Sequence, residues 1–265
     1  MYIIFIVTST YRIRSPLHGR VSTPQAISEA LRLAIIEGRL LGGESLRQEE
    51  LARQFEVSRI PVREALRQLE TEGWVVFLPN KGASVAPLSI DEALEIYDIL
   101  ASLECTALRL AIPHHTPTTL KRAEEALYAA PTAGVEDVNR NSDFHLMLYA
   151  PAQRPRLLNL IAMQRQRVRR YLRLYFALPK YKQQTEWEHA EILQACVKRD
   201  VTLAVALLER HLLQTGEILA HYLEEQIQKR STVPADKALT ALQKEVLISE
   251  AKSNLSQIQL KVGGG

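Results

Sequence analysis

Between residues 24 and 40, apolar side chains recur at Ile27, Leu31, Ala34 and Ile35. That three-and-four spacing predicts an amphipathic helix ending near Gly38. The same period predicts a short helix over 47–55, with Leu51 and Phe55 inward. A third helix is predicted over 59–72, with Val62, Ala65, Leu66 and Leu69 inward and Gly73 as its stop. The pattern then changes: WVVFLP, NKG and ASVAP read as strand, turn and strand, closed by Pro87. From Ser89 the helical period returns, predicting helices over 89–111, 117–129, 135–149, 153–177, 183–198 and 201–229. Breaks are expected at Pro113, at Pro131 with Gly134, at Pro151, at Pro179 and around Arg199-Asp200.

The expected fold is mainly α. An irregular tail (1–22) precedes a head (23–87) whose three helices and hairpin, in that order, describe a winged helix-turn-helix. An all-α helical bundle (88–230) follows, then a C-terminal tail (231–265) that is weakly amphipathic over 235–260.

Composition narrows the class. The chain has 265 residues, enough for one large or two small domains, and 46 % are hydrophobic and 24 % charged, as in ordinary globular proteins. Few glycines and many Leu, Ala, Arg and Glu favour helix. Cys105 and Cys196 lie far apart and form no CxxC pair, which suits a reducing, cytoplasmic location. The opening MYIIFIVTST lacks a basic flank and is too short to span a bilayer, so no membrane partner is expected.

The head carries the clearest chemistry. Ser58 is placed to cap the third helix, and Pro61 then falls in its first turn, where a missing N–H costs nothing. Arg59 and Arg63 project from one face near the helix N-terminus, and Arg67 continues the row. The N-terminal part of such a helix enters the major groove, where arginine bonds guanine O6 and N7 or clamps phosphate. The tip Asn80-Lys81-Gly82 then forms a wing suited to the DNA backbone or minor groove. The plainer reading of the same arginines is a solvated helix face. From Arg20 to Ala86 nine Lys/Arg meet nine Asp/Glu, so a DNA footprint must come from charge arrangement, which dimerisation would double.

In the body, His189 precedes the break at Arg199-Asp200 by about ten residues and His211 follows it by about eleven. In an antiparallel helix hairpin equal offsets bring two residues to one height. Asn141 and His145 share one face of another helix. Three imidazoles and a side-chain oxygen converging in a bundle would suit a divalent Zn, Ni, Mn or Fe ion. The plainer reading is three unrelated, partly buried histidines. The run QRQRVRRYLRLY offers Arg165, Arg169 and Arg173 at helical spacing. The plainer reading of them is a solvated or DNA-proximal basic face.

The stretch from Ile27 to Pro87, above all VSRIPVREALRQLETEGWV followed by NKGASV, resembles the GntR family of bacterial transcription regulators. Residues 89–229, with ASLECTALRLAI, NSDFHLML and EHAEILQACVKRDVTLAVALLERHL, resemble the ligand-binding FCD domain of its FadR subfamily. The resemblance implies that Arg59 and Arg63 contact operator DNA, with Ser58 and Ile60 beside them at the groove. It also implies that Asn141, His145, His189 and His211 hold a divalent metal. The chain departs from the family pattern in four places. Glu56 stands where glycine is common in the turn, so a left-handed residue there would cost about 1 kcal/mol. Glu49 replaces a DNA-contacting arginine of some members. Asn141 replaces a carboxylate, which lowers the charge offered to a metal. Leu100 replaces an arginine common in the first body helix and suited to pairing an effector's carboxylate, so the resemblance implies that one of Arg165, Arg169 and Arg173 takes its place towards a small organic acid.

The function these readings imply is a metal- and effector-responsive transcription regulator, a repressor, acting as a homodimer on an inverted-repeat operator. It is not expected to be an enzyme. Two alternatives remain at this point: the same regulator with a structural metal or none, and a three-histidine metalloenzyme, for which no positioned base or nucleophile is evident.

Overall fold

The computed structural model describes residues 22–129, 135–177 and 179–231. The expected tails, and the break at Pro131 with Gly134, lie outside the described residues, save at the edges. The chain divides into two compact units, with the boundary between Pro87 and Leu88.

In the first unit, α1 (Thr23–Ile36), α2 (Gln48–Phe55) and α3 (Arg59–Thr71) precede β1 (Val75–Leu78) and β2 (Gly82–Val85). The apolar stripes predicted for the three helices are all buried, and Trp74 joins them. Helix α1 ends at Ile36, and Gly38 takes a left-handed conformation just beyond it. β1 and β2 pair antiparallel, with Val75 opposite Val85 and Leu78 opposite Gly82. An unforeseen feature flanks them. Residues 43–46 run along the other edge of β2, Gly43 donating to the Val85 carbonyl and Leu46 to the Ala83 carbonyl. Strand β2 is thereby paired on both of its edges. Glu56 is left-handed, with φ 56°, where the turn between α2 and α3 demands it.

The second unit is a helical bundle: α4 (Ile90–Ala111), α5 (Pro117–Leu127), α6 (Val135–Tyr149), α7 (Pro155–Phe176), α8 (Pro179–Val197) and α9 (Val201–Ser231). Helix α8 begins at Pro179, four residues before the predicted start, and α7 begins at Pro155 rather than residue 153. In both cases proline occupies the first helical position, which its fixed φ favours, rather than breaking the chain beyond it. The α8–α9 turn falls at Lys198-Arg199-Asp200, and the Asp200 carboxylate accepts the Leu203 N–H to cap α9. Helix α4 packs along α9 and α7, while α6 packs on α5 and α7. No helix of the described residues is long and apolar enough to cross a membrane.

Candidate functional site

Two regions hold the predicted site residues. In the head, Arg59, Ile60 and Arg63 are exposed on the first turns of α3, Ile60 at 61 %. Ser58 occupies the N-cap position, but its side chain makes no capping hydrogen bond. A capping serine accepts from the second or third helical N–H, and since the third position is Pro61, which has none, only the Ile60 N–H could serve. Arg67 is committed within the head: its guanidinium pairs with Glu70 at 2.7 Å and lies 4.1 Å above the Phe77 ring of β1. It links recognition helix to wing. Asn80, Lys81 and Gly82 form the exposed tip, with Asn80 left-handed.

In the body, His145 on α6, His189 on α8 and His211 on α9 converge, all buried. Their Nε2 atoms face one another, 3.1 Å from His145 to His189 and 3.3 Å from His189 to His211. The antiparallel turn at Arg199-Asp200 brings the last two to one level, as their offsets predicted.

The surrounding hydrogen bonds orient two of the rings. The Tyr149 hydroxyl donates to Glu104 at 2.5 Å, so it accepts from His145 Nδ1 at 2.9 Å. His211 Nδ1 donates to the Glu188 carboxylate at 2.6 Å. With protons on Nδ1, both rings turn a bare Nε2 lone pair inward. Phe144 stacks on His189 with centroids 4.3 Å apart, steadying the third ring. Burial, then the charge of Arg165 and the neighbouring imidazoles, holds His145 well below its usual pKa. His189 is lowered likewise, by burial first, then His211 and Arg165. Both imidazoles are therefore neutral at physiological pH, the form that ligates metal.

Of the three arginines expected to bind an effector, only Arg165 reaches this cluster. It is buried, donates to Glu104 at 2.5 Å and to Asn141 Oδ1 at 3.4 Å, and its Nε has no partner. Burial works against its charge, but the Glu104 carboxylate and Tyr149 outweigh that and leave its pKa raised. Arg169 instead bonds Asn139 and Gln166, and Arg173 sits in the last turn of α7. About one and two helical turns beyond Arg165, they follow the drift of the helix face away from the histidines. A narrow pocket adjoins the cluster. Arg165, Asn141, His145 and His211 line it, together with Tyr97, Tyr175 and Thr185. Arg169 and Arg173 are not among its lining residues. Asn141, 8 % exposed, turns its oxygen towards Arg165.

Residues 23–85 match the family of bacterial regulatory proteins known as the gntR family, and residues 95–214 match the FCD domain. The chain belongs to the GntR family. This GntR-family protein is similar to the Nta operon transcriptional regulator of Aminobacter aminovorans. The two are 29 % identical over 198 residues, 72 % of this chain and 94 % of that protein. It is 40 % identical over 86 residues to the gluconate operon transcriptional repressor of Bacillus licheniformis, 32 % of this chain and 35 % of the relative. Among solved structures it shares the fold of E. coli McbR/YncC, with TM-score 0.64 and 24 % identity over 77 % of this chain and 99 % of that one.

The protein is thus a DNA-binding transcriptional regulator with a GntR head and an FCD body. The FCD match spans all three histidines and Arg165. Glu104, Tyr149 and Glu188 escaped the sequence reading, although two local signals pointed at them. Tyr149 follows His145 by one helical turn, and Glu188 adjoins His189. Glu104 gave no such signal, since it meets Tyr149 only through the packing of α4 against α6.

Proposed function

We propose that this GntR-family regulator is a homodimeric repressor of an inverted-repeat operator, controlled by a divalent metal ion and a small organic acid in the FCD body. The observation that carries the reading is the convergence of the His145, His189 and His211 Nε2 atoms. Two ligand nitrogens at Zn–N distances of 2.0–2.1 Å in tetrahedral array stand about 3.3–3.4 Å apart, and in an octahedral array about 3.0 Å. The separations of 3.1 and 3.3 Å fall in that range. The three imidazoles would hold the ion, with Asn141 as a neutral fourth donor once its oxygen leaves Arg165. The bound ion would supply a Lewis-acidic position for an effector carboxylate. Arg165 supplies a fixed positive charge on the wall of the same cavity, and the hydroxyls of Tyr97, Tyr175 and Thr185 offer polar contacts.

In the head, Arg59 and Arg63 are assigned to base edges, the wing tip Asn80-Lys81-Gly82 to the DNA backbone, and Arg67 to holding helix and wing together. The neutral charge balance of the head supports a dimer, which doubles the footprint on paired half-sites. The similarity to a gluconate operon transcriptional repressor supports repression.

A second reading has its own observation. The same Nε2 separations also fit hydrogen bonds, with one His189 Nε2–H shared between His145 and His211. The bundle would then need no metal. Elemental analysis of the purified full chain beside His189→Ala separates the two. Near-stoichiometric metal that falls with the substitution supports ligation, whereas equal or negligible metal in both removes the metal from the function. A mobility-shift assay tests the head. Arg63→Ala is expected to abolish specific operator binding with the fold intact, and unchanged affinity would sink the assignment.

A further inference from the structure

Arg59, the first residue of recognition helix α3, is not a lone cation. One of its Nη atoms lies 2.9 Å from Oε1 of Glu49, in the first turn of α2, and both side chains are about two-thirds exposed, at 68 % and 69 %. An exposed pair of this kind adds little to stability, so its importance lies in where it places charge. The two arginines at the start of α3 are unequal. Among the described residues Arg63 has no ion pair, whereas Arg59 carries a carboxylate at its side.

That carboxylate is an acceptor on a surface meant for DNA. Phosphate oxygens offer it nothing and repel it. In the major groove only cytosine N4 and adenine N6 present N–H donors, while guanine O6 and thymine O4 are acceptors. Arg59 favours guanine O6 and N7, and a carboxylate held beside its guanidinium by one oxygen keeps the other free for a nearby cytosine amine. The plainer account is that Glu49 and Glu50 merely favour the N-terminus of α2 through the helix dipole. That account predicts no effect on base preference.

We propose that Glu49 is a specificity-determining residue of operator recognition. Paired with Arg59, it reads a G·C-containing step, its free oxygen accepting a cytosine N4–H, and it disfavours bases that present an acceptor there. The proposal rests on the reading of the head as an operator binder, and its test separates the two. Full-length wild type, Glu49→Gln, Glu49→Ala and Arg63→Ala are each used to select bound duplexes from a randomised library. The wild type is expected to enrich an inverted repeat, and Arg63→Ala to enrich nothing. The two Glu49 variants are expected to enrich the same repeat with cytosine preference reduced about tenfold at one position per half-site. Their affinity for unrelated DNA should be equal or higher, since a negative charge has left the phosphate-facing surface. Identical preferences at every position in wild type and both Glu49 variants would overturn the role of Glu49 alone. Failure of the wild type to enrich any sequence would overturn the operator reading as well.

Discussion

The hydroxyl of Tyr149 stands between His145 Nδ1, 2.9 Å away, and Glu104, 2.5 Å away. It therefore sets which nitrogen of His145 carries the proton, and so which lone pair faces His189 and His211. Outer partners of this kind typically change metal affinity by about 10–100-fold. Tyr149→Phe and Glu188→Gln are each expected to weaken binding of a divalent ion by that factor without unfolding the body. Competition titration against a chelating dye measures it. Unchanged affinity in both variants would mean that the two side chains do not tune the site.

Acid should loosen the metal-free protein. His145 and His189 have folded pKa values held below the ordinary 6.5 by burial first. The unfolded chain then binds protons that the folded chain refuses. The sign follows: stability is greatest above about pH 6.5 and falls as pH drops through it. Two such groups would cost about 2–3 kcal/mol between pH 7.5 and 5.5. Denaturant unfolding in the presence of chelator reads this directly, and a body equally stable at both pH values would contradict it. Ligation of a metal should steepen the loss, since protons then compete with the ion.

Gly216 on α9 sits against Tyr97 on α4. A Cβ added there would lie 2.9 Å from the Tyr97 Cβ, an atom close to the backbone that cannot swing aside. Overpacking of this kind costs about 1–3 kcal/mol. Gly216→Ala should lower the unfolding midpoint of the body accordingly. Because Tyr97 lines the cavity beside the histidines, the same variant should also weaken any acid that binds there. A thermal-shift series with Gly216→Ala beside wild type checks both effects.

The left-handed Glu56 offers the opposite case. Glycine removes a strain of about 1–2 kcal/mol at such a position but adds freedom to the unfolded chain. The net expectation for Glu56→Gly is a gain of about 0.5–1 kcal/mol in the head. A head that unfolds earlier in the variant would show that the Glu56 side chain contributes something the turn geometry does not reveal.

Helix α7 joins the site to the start of the body. Arg165 reaches the histidine cluster, and six residues on, Tyr171 accepts the Ser89 N–H at 3.2 Å and bonds the Glu92 carboxylate with Arg170. Ser89 lies two residues after the boundary between the units. A shift of α7 would be felt at that point. Tyr171→Phe should leave metal content unchanged while shrinking the difference in operator affinity between metal-loaded and chelated protein towards unity. Mobility shifts in the two conditions measure that ratio, and an undiminished ratio would remove α7 from the coupling.

Much of this architecture could be read before any coordinates. Period 3.6 located the helices, and the stripes Ile27-Leu31-Ile35 and Val62-Leu66-Leu69 named the inward faces of α1 and α3. Local periodicity suffices there because each helix buries one stripe whatever its partner. The equal offsets of His189 and His211 from a turn sufficed too, since helix rise is constant. The starts of two helices were misplaced, by two residues at Pro155 and four at Pro179, where a proline opens the first turn. Ser58 misled because it takes the N-cap position without making the capping hydrogen bond.

Sequence alone thus determined the order of elements, the inward faces and the pairing of His189 with His211, all of which follow from spacing along one or two helices, while His145 joined them through the family resemblance. Tertiary structure alone decided the rest. Arg165, Arg169 and Arg173 look equivalent on one helical stripe, yet it is Arg165 that meets Glu104, because α4 brings that carboxylate to its level. Arg59 and Arg63 likewise look alike until the packing of α2 sets Glu49 beside one of them. Charge pairing between distant segments depends on distances of a few ångströms in space, and such distances leave no period in the chain.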